Sequence, residues 1–155
     1  MTRRTRAEDR RFVEAAPQRV FAVLVAVDRY ALWWPPAYRP RVLSPPPHGV
    51  GSVVQATVAG SRLVCRIAAA DEPRSLVVEY VAGPHRGRGE WVLMPEGSGT
   101  AVIYAFDAEP VGPVARLLSH VVDFAAIHSR HMKLVLDSLA WAAEQGAAEG
   151  GASIS

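Results

Sequence analysis

The sequence predicts an α+β fold: a curved antiparallel sheet of about seven strands around a long C-terminal helix, with two short helices after the first strand. Three observations predict it. From Tyr38 to Ala108 hydrophobicity alternates with period two through six short runs. After Pro113 a period of 3.6 takes over and runs to about Ala143. The breaks between the six runs are short and rich in Gly, Pro, Asp and Ser, which implies hairpins and an antiparallel meander. Helices at the two ends of one antiparallel sheet make an α+β fold.

The elements follow in order. Arg11 to Ala15 reads as a first strand. Pro17 suits a first helical turn, where a missing N–H has no cost, and Val20, Phe21, Leu24 and Val27 recur at helical spacing. Asp28 is placed to cap a second short helix, Arg29 to Trp34, which Pro35 and Pro36 stop. The six strand-like runs are Tyr38–Leu43, Ser52–Val58, Arg62–Ala69, Ser75–Val81, Gly87–Leu93 and Thr100–Ala108. The last helix, about 45 Å at ~1.5 Å per residue, must cross the whole sheet. Residues 1–10 are expected as a flexible arginine-rich leader, 11–144 as one ligand-binding domain, and 145–155 as a disordered tail rich in Gly, Ala and Ser.

Composition narrows the function classes. The 155 residues are one domain's worth, 50% hydrophobic and 21% charged. No apolar run reaches the ~18 residues of a membrane span, and no apolar segment follows the arginines at the start as a secretory signal requires. Cys65 is the only cysteine, so an internal disulfide and a multi-thiolate zinc site are excluded, in keeping with a reducing cytoplasm. Charge is mild at +2, and the arginine cluster Arg3, Arg4, Arg6, Arg10, Arg11 lacks interleaved aromatics, so no nucleic-acid partner is expected. There is no phosphate-binding Gly-Lys-Ser/Thr loop and no Gly-x-Ser-x-Gly elbow. Gly87-Arg88-Gly89 precedes a strand and not a helix, so it is no dinucleotide fingerprint. No cofactor and no metal are expected; His128 and His131 stand at i, i+3 with no inward carboxylate foreseen beside them.

Strand parity assigns the inner face. Val54, Ala56 and Val58; Leu63, Cys65 and Ile67; Leu76, Val78 and Tyr80; Gly89, Trp91 and Leu93; and Val102, Tyr104 and Phe106 point inward. On the long helix, Val114, Leu117, Leu118, Val121, Ala125, Met132, Val135, Leu136 and Leu139 define one face, with His128 at its heart and His120 and His131 at its border. The inner face is therefore apolar and aromatic. Its polar atoms are the hydroxyls of Tyr80 and Tyr104, the Trp91 indole, the Cys65 thiol and the His128 imidazole, and it carries no Asp or Glu.

At this point the chain resembles the START-like, or SRPBCC, superfamily, which includes polyketide cyclase/dehydrase-like and lipid-transport proteins. The resemblance rests on Phe12 to Val27 followed by Asp28-Arg29-Tyr30-Ala31-Leu32-Trp33-Trp34-Pro35, on Gly87-Arg88-Gly89-Glu90-Trp91, on Gly99-Thr100 before Val102 and Tyr104, and on His128 to Met132 with Leu136 and Leu139. It covers about Arg11 to Ala143. It implies the helix-grip fold and a cavity between sheet and helix for a lipid-like, aromatic or polyketide-like molecule. The residues expected at that ligand are Trp33, Trp34, Val54, Ala56, Cys65, Val78, Tyr80, Trp91, Tyr104, Phe106, Phe124, His128 and Met132.

Each has a plainer reading as core packing. Trp33 and Trp34 point ~100° apart if helical, one inward and one toward a mouth. Two functions lead, a binding module, or a cyclase, aromatase or dehydratase in which Tyr80 and Tyr104 stabilise an enolate and His128 moves protons; a third reading is an interaction protein whose arginine-rich leader docks to a nucleic acid or an acidic partner. The expected partner is a small hydrophobic ligand, and the chain is a monomer or a homodimer.

Overall fold

The computed structural model describes residues 3–152, with side-chain environments through Gln145. The chain runs β1 (Thr5–Val13), α1 (Pro17–Val25), short 3-10 helices at Val27–Leu32 and Pro36–Tyr38, β2 (Arg41–Ser44), β3 (Val53–Val58), β4 (Ser61–Asp71), β5 (Ser75–Ala82), β6 (His85–Glu96), β7 (Gly99–Pro110), α2 (Pro113–Leu118) and α3 (Phe124–Ala152). The seven strands form one antiparallel sheet in the order β1-β7-β6-β5-β4-β3-β2. Every sequential pair from β2 to β7 is a hairpin neighbour, as the short connections demanded. The α+β helix-grip architecture is the one the sequence predicts.

The core lies between the concave face and the second half of α3. Leu136, Leu139, Ala140 and Ala143 meet Val13, Val20, Phe21 and Leu24 from β1 and α1 and Leu76, Leu93 and Val102 from the sheet. Leu139, Val13, Val20 and Leu24 are all 0% exposed. Burying a side chain of this kind contributes about 1.5–3 kcal/mol, so this layer is what holds helix and sheet together. Thr100 anchors its edge by donating from Oγ1 to the Ala15 carbonyl at 2.7 Å.

Several expectations need correction. Residues 5–10, expected as flexible leader, are the first two-thirds of β1 and pair with β7 from Thr5↔Ala108 through Arg10↔Ile103; residues 1–2 lie outside the described residues. The alternation Thr5, Ala7, Asp9 was hidden because arginines and acids fill the outward positions. The second short helix is a 3-10 helix over Val27–Leu32 with no side-chain cap from Asp28. The second strand starts at Arg41 and not Tyr38, because Tyr38 closes a further 3-10 turn and Arg39 takes a left-handed conformation, φ 45°. At the other end, α3 continues through residues 145–152 of the expected tail; residues 153–155 lie outside the described residues.

The last correction matters most for function. The expected single long helix is two, broken at residues 119–123. Ser119 Oγ donates to the Arg116 carbonyl at 2.6 Å, closing α2. Asp123 Oδ1 accepts from the Ala126 N–H at 3.0 Å, opening α3 as an N-cap. Pro113 through Leu118 bury no residue at all. Val114, Leu117, Leu118 and Val121, expected on the inward stripe, face outward instead.

Candidate functional site

A cavity of about 260 Å3 lies between the sheet and the first two turns of α3. Its sheet wall comes from the β3–β4 hairpin (Val58, Ala59, Ser61, Leu63), β5 (Tyr80, Ala82), the start of β6 (Pro84, His85) and β7 (Phe106). Phe124, Ile127, His128 and His131 close it from α3. Larger recesses of about 480–580 Å3 open on the outer surface; most have charged walls, and one, between Pro17, Pro73, Val92, Leu93, Met94 and Pro95, is largely apolar but carries Arg74. The 260 Å3 cavity is the one enclosed between sheet and helix, and no Asp, Glu, Lys or Arg lines it. Its size is just under the roughly 300–1,000 Å3 of ordinary ligand pockets.

Of the residues named from sequence, Tyr80, Phe106, Phe124 and His128 line this cavity. Val54, Ala56, Cys65, Trp91, Tyr104 and Met132 are buried in the surrounding core, and Val78 packs against it. Trp33 and Trp34 lie outside the cavity wall, in an aromatic cluster with Tyr30 and Tyr38: Tyr30 stacks on Trp34 at 5.0 Å between centroids, and Trp34 meets Tyr38 edge-on at 6.4 Å. Tyr38 connects that cluster to the cavity through a 2.7 Å hydrogen bond with His131 Nδ1.

His128 is held between ring systems. It stacks on Phe106 at 3.9 Å and on Tyr104 at 5.8 Å, both at an interplanar angle of 16°. Its Nδ1 is buried without a hydrogen-bond partner. Burial pushes its pKa down to about 4, helped by the neighbouring charges of His85 and His131, so the ring is neutral at neutral pH. Asp9 on β1 places Oδ2 3.9 Å from that Nδ1. Ser129 Oγ donates to the same Asp9 oxygen at 3.1 Å. The expectation that no carboxylate lies near His128 is thus overturned by Asp9, which turns inward because β1 starts at Thr5.

Burial also lowers the pKa of His85, whose Nε2 lies 3.2 Å from Thr5 Oγ1. Sequence reasoning missed His85, Asp9 and the inward placement of His131. The signal for His85 was available: it shares parity with Gly87, Gly89, Trp91 and Leu93, and extending the strand two residues would have found it. The hydroxyls of Tyr80 and Tyr104 are hydrogen-bonded to each other. Burial raises both pKa values, so both remain phenols. Burial likewise raises the Cys65 thiol far from its thiolate form, which removes the activated nucleophile a Cys–His pair would need. Among the described residues, no three His, Cys, Asp or Glu side chains converge as metal ligands.

The family model described as "Polyketide cyclase / dehydrase and lipid transport" matches residues 4–144. The chain belongs to this family. Membership accounts for the SRPBCC-type layout of sheet and grip helix. No curated protein matches the sequence. Solved structures with the same fold include TTHA0849 from Thermus thermophilus, at TM-score 0.74 and 20% identity over 91% of this chain and 98% of that one. The ZhuI aromatase/cyclase from Streptomyces sp. R1128 superposes at TM-score 0.72 and 21% identity, over 92% and 95%. A norcoclaurine synthase point mutant from Thalictrum flavum superposes at 0.66 and 12%, over 91% and 96%. At these identities the likeness is one of fold. Among the described residues no helix is long and apolar enough to cross a membrane.

Proposed function

We propose that the protein binds a small, uncharged, apolar or aromatic molecule in the cavity beneath α3. The observation that carries this reading is the wall itself: mainly aliphatic and aromatic side chains with no Asp, Glu, Lys or Arg among them. A carboxylate ligand would need a cation to replace its water. His85 and His128 do not supply one, since burial favours their neutral forms. Tyr80, Ser61, His85 and His128 remain as neutral hydrogen-bonding groups that orient a hydroxyl or carbonyl. The small volume limits the ligand to a compact ring system or short chain. The family description is consistent with such a ligand.

Native mass spectrometry of freshly purified protein, followed by organic extraction, is the direct test. A co-purifying neutral molecule released on denaturation is the expected result. Titration with 2-naphthol as a stand-in, read by tryptophan fluorescence, covers protein that purifies empty; binding should vanish in Ala82→Phe, which fills the cavity. No co-purifying molecule, together with no naphthol binding or with binding unaffected by Ala82→Phe, would overturn the proposal.

A second reading, a cyclase, aromatase or dehydratase, is favoured by one specific feature, the Asp9–His128 pair at 3.9 Å. A neutral imidazole backed by a carboxylate can accept a proton from a carbon acid, and the Tyr80 phenol can donate to the enolate oxygen that forms. Turnover of a poly-β-ketone that disappears in His128→Ala while naphthol binding survives would select this reading.

A further inference from the structure

Helix α2 and the residues flanking it expose Val111, Val114, Leu117, Leu118 and Val121 at 40%, 69%, 72%, 41% and 82%. No other stretch of eleven described residues exposes as many large aliphatic side chains. Val114, Leu117 and Leu118 stand at i, i+3 and i+4 on α2, so they share one face, and Val121 follows exposed on the turn. A six-residue helix without one buried residue gains nothing from the core and is too short to be stable alone. The apolar face therefore calls for a partner.

The surroundings of that face are basic. Arg116 is exposed on α2 itself, and His120 on the turn. The turn, from Ser119 through Asp123, shares one recess with Arg3, Arg4 and Arg6 from the start of the chain. Arg4 is partly neutralised by Asp107 at 2.8 Å and Glu109 at 2.7 Å, whereas Arg6 is 73% exposed and lies 3.5 Å from Asp107. Asp123, the acidic group in that recess, is engaged as the α3 cap.

We propose that α2 and its following turn dock the protein on an anionic lipid surface. Aliphatic residues on one face with arginines at their flanks are the composition that inserts into a headgroup–acyl boundary while the cations meet anionic headgroups. Valine and leucine are under-represented as anchors of protein interfaces, where Trp, Tyr and Arg dominate. The patch, on the order of a few hundred Å2, is also smaller than a stable protein–protein interface requires. A fluid apolar phase asks for no shape complementarity and takes such a face as it stands. Phe124 lines both the basic recess and the inner cavity, so the docking surface lies one side chain away from the proposed ligand.

Vesicle co-sedimentation of the full chain tests this. Phosphatidylcholine vesicles carrying about one-fifth phosphatidylserine should retain the protein, and pure phosphatidylcholine should retain it on the order of tenfold less, with salt weakening the difference. The double variant Leu117→Asp/Val121→Asp, with unchanged circular dichroism and unchanged naphthol titration, should lose retention. Since both side chains point away from the cavity, failure here and failure of the cavity reading are separable. No sedimentation with either vesicle, or equal sedimentation of the variant, overturns the proposal. Concentration-dependent dimerisation abolished by the same variant overturns it in favour of a second copy of the chain.

Discussion

The hydroxyls of Tyr80 on β5 and Tyr104 on β7 bond to each other across the intervening strand, β6, because Gly89 of β6 leaves room for them. A methyl group at Gly89 would overlap the Tyr104 hydroxyl. The glycine thus lets two strands that are not neighbours share a polar contact inside an apolar wall. Tyr104 is 2% exposed, so Tyr80→Phe would leave its hydroxyl unpaired at a cost of about 1–2 kcal/mol. Tyr104→Phe should cost less, since Tyr80 is the less buried of the two and lines the cavity. The double variant should be more stable than the sum of the single losses implies, by roughly 1 kcal/mol in urea unfolding. Strict additivity would show that the bond contributes nothing.

Acid should weaken the fold through His128. Its folded pKa is about 4, below the ordinary value of 6.5, so the unfolded chain binds the proton more readily. The stability this ring contributes is complete above about pH 6.5 and is lost as pH falls toward 4. The loss is on the order of 1–3 kcal/mol, limited by Asp9, which favours the imidazolium. His85 and His131 also face the ring and oppose its protonation. His128→Phe, which keeps the stack on Phe106, should flatten the decline between pH 6.5 and 4.5, leaving the part due to His85. In Asp9→Asn the His128 proton signal should titrate at still lower pH by NMR. Parallel stability curves for wild type and His128→Phe would rule out this origin of acid sensitivity.

The break between α2 and α3 makes opposite forecasts for two leucines that a continuous helix would treat alike. Leu139→Ala empties a site 0% exposed and should cost about 2–5 kcal/mol. Leu117→Ala removes a side chain 72% exposed and should change stability by no more than about 0.5 kcal/mol. Chemical denaturation of the two variants checks this, and a large loss from Leu117→Ala would restore the single-helix picture.

What the sequence made legible follows from where side chains must be buried. Leu76, Trp91, Val102 and Leu139 were found because alternation and helical spacing mark any face that meets a core. Asp9 was not, since Arg10 and Arg11 beside it resemble a solvated leader, and only pairing with β7 reveals the strand. The α2 break was hidden for a related reason. Val114, Leu117, Leu118 and Val121 carry the spacing of a buried face, and periodicity does not report whether another surface arrives to cover it. The cavity's extent depends on which aromatic rings fill it: Trp91 and Tyr104 sink into the core, while His85 and His131 reach the cavity wall.

The position of β1 has a kinetic consequence. Thr5–Val13 precedes every other strand in the chain, yet its partner in the sheet is β7, about a hundred residues later, and its inner face rests on α3, later still. The first strand of the sheet can settle only once β7 and α3 are present. Folding of this domain is therefore a long-range closure that gathers its first and last elements together, slow by topology. Until then the charges of Arg6, Glu8, Arg10 and Arg11 serve the unpaired segment by keeping it from associating with other chains.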